Sequence, residues 1–274
     1  MTSFKRLFRQ RLPLLMLPVM GGVLAAVTVP ASAETPEEKG HAIFAEAEHR
    51  NEGFGDNQGD MLMILKNKKE NTSEREMKVQ ALEGPKGEGD KTLMVFQSPK
   101  DQKGTALLTF QHDERDDDQW LYLPALKRVK KIASSKKSGP FMGSEFSFED
   151  IGGQALEEYT YKYVRDEQYE GQDCFVVESY PKDKNSGYTK IITWVDKQHY
   201  RTLKADFYDR KNSHLKTLVA KNFNLYLEKF WRPAEMEMVN LQTGRSTILK
   251  QNNLAFKTGL TDADFNKNSL QRAK

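Results

Sequence analysis

Few residues in this chain have the type and spacing that chemistry demands. Glu46 and His49 share an E-x-x-H spacing that would set two metal ligands on one helical face. A dinuclear carboxylate site needs that unit twice, and no second copy exists; helix surface charge is the better reading. Asp113, Glu114, Asp116, Asp117 and Asp118 are dense enough for a calcium loop. They lack the D-x-D-x-D-G spacing and the distal glutamate, so a solvated acidic turn is expected. Cys174 is the only cysteine, which excludes an internal disulfide. Within Cys174-Phe175-Val176-Val177 it reads as a buried strand thiol, because a nucleophilic thiolate needs an electropositive, partly exposed setting. No nucleophile elbow, zinc-protease helix or phosphate loop stands out. The expectation is a protein that is no enzyme and needs no cofactor or metal. A lipid hydrolase is the weakest reading, since no acid or histidine can be nominated for it.

The informative stretch is 116–153, which proposes binding instead. It opens with an alternating strand, Trp120-Leu121-Tyr122-Leu123-Pro124, and continues into a basic segment with Lys127, Arg128, Lys130, Lys131, Lys136 and Lys137. It closes on a glycine-, serine- and proline-punctuated flap that carries Phe141, Met142, Phe146 and Phe148. A strand, a basic loop and an aromatic flap are the parts of a lid over an apolar cavity. Glycines 139, 143, 152 and 153 would let its backbone rearrange. The lysines read equally as the solvent face of an edge strand, where lysine blocks edge-to-edge pairing, or as contacts to anionic headgroups or an acidic partner. Trp120, Tyr122 and Arg128 read equally as packing residues or as the cavity mouth.

The start of the chain bears on compartment. Lys5, Arg6, Arg9 and Arg11 precede an apolar stretch over 12–29, and Ala31-Ser32-Ala33 is a small-x-small cleavage signature. This pattern predicts a secretory signal peptide over 1–33, cleaved after Ala33. Pro13 and Pro18 interrupt the stretch, which barely reaches the ~18–20 residues a membrane span needs. The whole chain has 42 Lys+Arg against 39 Asp+Glu. Residues 1–33 hold four of the basic ones and no acid, so the remainder has 38 against 39. Net charge therefore argues for no nucleic-acid partner, and any basic role must be local.

Residues 34–274 are expected to form a single domain. A helix is predicted over 36–52, with Thr35 as cap and Pro36 in its first turn. Strands are predicted over 60–66, 74–82, 91–97, 105–111, 119–124, 127–132, 157–166, 173–180, 188–196, 201–209, 215–223, 230–240 and 246–251. Short helices are expected over 148–153 and 261–270. Tight turns at regular spacing argue an antiparallel meander, because parallel strands need crossover helices. A long twisted sheet of that kind curls, and an incompletely closed one has a concave trough. Met61-Leu62-Met63-Ile64-Leu65, Leu93-Met94-Val95-Phe96 and Ala106-Leu107-Leu108 are apolar on both faces and hence buried on both. Methionines suit a site for flexible chains, although ordinary core accounts for each one singly. The candidate cavity and lid comprise Met63, Met77, Val95, Leu108, Trp120, Tyr122, Phe141, Met142, Phe146 and Phe148, with Arg128, Lys130 and Lys131 as headgroup or partner contacts.

With these residues assembled, the chain resembles the outer-membrane lipoprotein-sorting protein family, in its longer LolA-like branch. The resemblance is carried by Trp120-x-Tyr122-x-Pro124, by Arg128 and Ile132, and by Phe141-Met142-Gly143-Ser144-x-Phe146-Ser147-x-Glu149-Asp150. Further along it is carried by Gly187-Tyr188-Thr189-Lys190-Ile191, Trp194-x-Asp196, Tyr208-Asp209, Trp231-x-Pro233 and Gly259-Leu260-Thr261-Asp262-x-x-Phe265. It implies a mainly β fold, an incomplete antiparallel β-barrel with a few covering helices and an acyl-chain cavity. It also implies a monomeric periplasmic carrier for a lipid or acylated lipoprotein, with an inner-membrane RND-type transporter as partner. The alternative is a lipid-responsive sensor that serves an envelope complex. The best-known lipoprotein carrier is shorter and lacks the Trp-x-Tyr-x-Pro and Gly-Ser-x-Phe block, so the cargo here is a lipid as readily as a lipoprotein.

Overall fold

The computed structural model describes residues 33–85, 88–113 and 115–272. The predicted signal peptide lies outside the described residues except for Ala33. Residues 34–274 form one compact unit.

Helix α1 (Pro36–Asn51) opens it. The Thr35 hydroxyl accepts from the Glu38 N–H, while the Glu38 carboxylate accepts from the Thr35 N–H, so two otherwise unpaired backbone donors are satisfied. Six strands follow: β1 (Asp56–Lys66), β2 (Thr72–Leu82), β3 (Lys91–Ser98), β4 (Ala106–Phe110), β5 (Asp118–Leu123) and β6 (Arg128–Ile132). Seven more come after the flap: β7 (Tyr159–Tyr169), β8 (Gln172–Pro181), β9 (Tyr188–Asp196), β10 (Thr202–Asp209), β11 (His214–Tyr226), β12 (Phe230–Asn240) and β13 (Arg245–Phe256). Each sequence-predicted strand is present. Short helices α2 (Phe148–Gly152) and α3 (Lys267–Arg272) complete the chain. The helix expected over 261–270 is broken into a 3-10 turn, Asp262–Asp264, and α3. Between them the Asn266 side chain accepts from the N–H groups of Asn268 and Ser269, so it starts a new helix instead of continuing the old one.

All thirteen strands form one antiparallel sheet in the order β6-β5-β4-β3-β2-β1-β13-β12-β11-β10-β9-β8-β7, not closed into a barrel. The first and last strands pair, for example Lys66 with Ser246, and join two meanders side by side. The free edges are therefore β6 and β7, which are consecutive in sequence. Residues 133–158 must run from one open edge to the other, which is why the flap lies in the trough.

The main core collects the inward side chains of β1–β5, β7–β10, β12 and β13 together with α1 and the flap. Helix α1 fills one part of it. Gly40 packs directly on β7: a Cβ there would stand 2.8 Å from the Tyr163 nitrogen, so this position admits no side chain. A second cluster on the outer face of β3–β5 joins Leu93, Val95, Leu108 and Trp120 to Phe265 and Leu270. Strands β3–β5 are thus buried on both faces, as their doubly apolar sequences require.

Candidate functional site

The flap is a plug held by side chains that the sheet supplies. Phe141 is fully buried and Phe146 nearly so; the Phe141 ring packs on Phe96 and Phe148 at centroid distances of 5.9 and 5.6 Å. A Pro140–Ser147 bridge, with the Phe141 N–H donating to the Phe146 carbonyl at 2.7 Å, folds the segment into a tight loop. At its tip Met142 (φ 49) and Gly143 (φ 76) are both left-handed. That conformation is costly for methionine, and arginines hold the tip. Arg75 donates to the Met142 carbonyl, and Arg245 donates to that of Gly143 at 3.2 Å.

Below the tip is a polar latch. Ser147 caps α2, accepting from the Asp150 N–H, while Asp150 accepts from the Ser147 N–H at 2.6 Å. The Asp150 carboxylate also accepts from the Tyr188 hydroxyl at 2.7 Å and pairs with the Lys216 ammonium at 2.6 Å. Lys216 is buried and donates to the Glu145 carbonyl at 2.9 Å. Burial pushes the Tyr188 phenol well above its ordinary range. Glu145 accepts from Asn240 at 2.8 Å and pairs with Arg245 at 3.1 Å; Glu149 accepts from the Ser186 hydroxyl and the Gly187 N–H at 3.0 Å each. The flap thus joins an aromatic plug to a ring of charge-assisted bonds.

Two cavities adjoin this core. One of about 320 Å³ lies at the mouth between the open edges, where Ile132, Phe148 and Tyr159 meet Asp116, Asp117, Lys137, Glu149, Glu158 and Asp183. Burial raises Asp117 to about 7, and Glu158 adds repulsion. Glu149 and Glu158 are raised for the same first reason. Lys137 pairs with Asp183 at 2.6 Å. The other cavity, about 130 Å³, lies beside Met61, Met236, Leu249 and Leu254, with Arg232 and Gln251 at its wall.

The structure divides the sequence-predicted site. Met63, Met77, Phe141 and Phe146 meet in the inner core, with Met142 and Phe148 packed against it. Val95, Leu108, Trp120 and Tyr122 do not join them. They face outward, under Phe265 and Leu270, because they stand one residue out of phase with Met94, Phe96, Leu107 and Leu121, which point in. Those four are core beneath the C-terminal segment. Arg128, Lys130 and Lys131 are exposed on edge strand β6, but Lys131 pairs with Asp118 at 2.6 Å.

The acidic turn is not simply solvated. Burial opposes ionisation of Asp118, yet hydrogen bonds from Lys131, Arg115 and His112 hold it at about 2. Glu46 and His49 do not converge: Glu46 pairs with Arg50 and His49 with Glu52. Cys174 is fully buried in an outer cluster with Val176, Trp194 and Leu203, and burial pushes its thiol up to about 11. The role of Lys216 was missed by sequence reasoning. Its one signal is phase, since a lysine in register with Leu218 and Ala220 stands on an inward-facing row.

Comparison with known proteins places this geometry. A family model that carries only the description of an uncharacterized protein matches residues 88–272. A Vibrio parahaemolyticus domain, provisionally described as an outer membrane lipoprotein-sorting protein, is 53% identical with TM-score 0.84 and covers 86% of this chain and 100% of its own. A DUF1329 family protein from Desulfovibrio piger is 29% identical, TM-score 0.81, over 86% of this chain and 99% of its own. A LolA superfamily protein from Nitrosomonas europaea shares the fold at TM-score 0.67 and 21% identity, covering 84% and 98%. None of the curated proteins matches the chain. With its open antiparallel sheet, plugged trough and these matches, the chain belongs to the outer-membrane lipoprotein-sorting protein family and has the LolA-like fold.

Proposed function

We propose that the protein is a periplasmic carrier that holds a lipid, or the acyl chains of a lipoprotein, in the trough now filled by the flap. One observation carries this reading. The flap places aromatic side chains in an apolar seat beside Met63, Met77, Met238 and Leu249, but is fastened by polar bonds that water can replace. Such a plug can be exchanged for another apolar occupant. Burying one methylene is worth about 0.8 kcal/mol, so a single long acyl chain resists release into water by on the order of 10 kcal/mol. A container is needed to cross an aqueous compartment. The family resemblance supports an inner-membrane RND-type transporter as the donor or acceptor and a monomeric carrier, and the residue pattern over 1–33 supports export by cleavage after Ala33.

The test is native mass spectrometry of the exported chain purified without detergent, followed by organic extraction. A discrete adduct of acyl-lipid mass is expected, and Phe146→Glu should lose it. A clean mass that persists after incubation with membrane lipids would overturn the reading.

A further inference from the structure

Connections between antiparallel neighbours alternate between the two rims of a sheet. The pairing of Lys66 with Ser246 sets the 67–71 turn beside the 241–244 turn, so both meanders share one rim. That rim comprises the connections 67–71, 99–105, 124–127, 182–187, 210–213 and 241–244. In the first half it carries Lys68, Lys69, Lys100, Lys103 and Lys127; in the second, Lys182, Lys184, Arg210 and Lys211. All nine are exposed. Only Glu70, Asp101 and Asp183 oppose them, nine against three, and two of these acids are engaged: Glu70 by Lys66 and Asp183 by Lys137. Among the described residues none of the nine forms an ion pair. Lys182 and Arg210 donate to backbone carbonyls of Glu157, Asn185 and Ser186.

The opposite rim has the reverse balance. Its described turn residues carry Glu83, Glu88 and Asp90 in one connection, Asp113, Asp116 and Asp117 in the next, and Glu170 and Glu228 beyond. Of the described bases on that rim, Lys257 follows β13 and four stand in turns: Arg115, Lys197, Arg201 and Lys229. Each of these four is held, by Asp118, Asp166, Asp196 and the Glu52 carbonyl respectively. A chain with 38 basic and 39 acidic residues beyond position 33 has therefore sorted the charge of its described turns to two ends.

We infer that the basic rim is a docking surface for an anionic lipid membrane. Three features favour lipid over an acidic protein. Eight of the nine charges named above are lysines, a residue depleted from protein interfaces, where arginine is enriched. They are spread over five separate turns, an arc on the order of 50 Å at strand spacing, which suits a diffuse field of headgroups. Among them stand two leucines with no packing role, Leu126 at 63% and Leu241 at 52% exposure, each followed within four residues by Arg128 or Arg245. Exposed leucines beside basic residues suit the headgroup boundary. Leu225 and Leu227 are comparably exposed on the other rim, but beside Glu228. The flap tip lies on the basic side, since Arg245 and Asn240 flank the 241–244 turn and hold Gly143 and Glu145. If the carrier reading holds, docking brings the plug to the membrane. The docking surface itself does not depend on that reading.

The experiment is co-sedimentation of the exported chain with phosphatidylcholine vesicles, with and without phosphatidylglycerol. Binding is expected only with phosphatidylglycerol, and should weaken as salt is raised. Each lysine near an anionic surface is worth about fivefold in affinity. The triple variant Lys68→Glu/Lys69→Glu/Lys211→Glu should therefore lose at least about 100-fold, while Lys229→Glu/Lys257→Glu on the other rim changes little. Lys100→Glu/Lys103→Glu/Lys184→Glu is an independent check should the first variant misfold, and Leu241→Ser should weaken binding without altering its salt response. Equal binding to neutral vesicles, loss in both rims alike, or head-to-tail self-association without vesicle binding would overturn the inference. Acyl adducts that persist in a chain that ignores vesicles would sink the docking surface alone; vesicle binding with a clean mass would sink the carrier alone.

Discussion

The two faces of β3–β5 are both sealed, but by different means. On the outer face Phe265 and Leu270 of the C-terminal segment cover Leu93, Val95, Leu108 and Trp120 with apolar packing. On the inner face the flap adds a buried ion pair, a capping box and arginine-held carbonyls to its three phenylalanines. Apolar packing is lost outright when a cover lifts, because the exposed surface gains nothing from water. A buried ion pair behaves otherwise: its members recover hydration when separated, so its net contribution to closure is small although its geometry is strict. The outer cover is built to stay, and the inner one to fit in one place and still come away.

That contrast breaks most sharply at Lys216. Lys216→Met leaves the Asp150 carboxylate buried against the sheet with no cation, and should destabilise the protein by about 3–5 kcal/mol in denaturant unfolding. Adding Asp150→Asn should recover much of that loss, because it removes the unpaired charge while its carbonyl can still accept from the Tyr188 hydroxyl. The double variant should also hold its flap more tightly, read as slower uptake of acyl ligand in the mass-spectrometric assay. A double variant as unstable as the single one would mean that the latch is structural rather than releasable. On the outer face Leu270→Ala should cost about 2–4 kcal/mol of global stability by cavity formation. Its acyl content should be unchanged once folded. Loss of acyl ligand in Leu270→Ala would erase the distinction between the covers.

Strand positions were legible because turn chemistry and period-two alternation act locally, and β9 and β12 match to the residue. The flap was legible for the same reason, since Phe141 and Phe146 stand out in a glycine- and serine-rich segment. Which face of β3–β5 formed the trough was not. Met94 and Val95, or Leu107 and Leu108, are equally apolar, and only curvature and the position of the C-terminal segment decide which looks inward. Hence Val95, Leu108, Trp120 and Tyr122, named with the trough, lie in or against the outer cluster instead. The latch was invisible for a different reason: Asp150, Tyr188 and Lys216 come from three distant segments, and nothing local marks them as partners. The basic rim was half visible, because the lysines of 127–137 draw the eye while the others are scattered singly through turns that only the sheet order aligns.

The smallest effect expected is one of pH, at the mouth where the flap meets the open edges. Asp117 is raised to about 7, by burial first and by Glu158 second, against the pull of Lys137 and a hydrogen bond from the His112 N–H. A carboxyl raised on folding stabilises the fold fully below its ordinary pKa near 4, and that contribution is lost as pH rises towards 7. Glu149 and Glu158 are raised as well and act in the same direction. Asp118, held at about 2, has the opposite sign, but its contribution is lost only as pH falls below about 4 and does not enter this window. Stability should therefore decline between pH 5 and pH 7, by roughly 1–2 kcal/mol for Asp117 once its partial solvent access is allowed for. Asp117→Asn should raise stability at pH 7 and flatten that slope, while Leu270→Ala lowers the whole curve without changing its shape. If Asp117→Asn left the slope intact, the titration would belong to Glu149 or Glu158, and thus to the flap rather than to the edge it closes against.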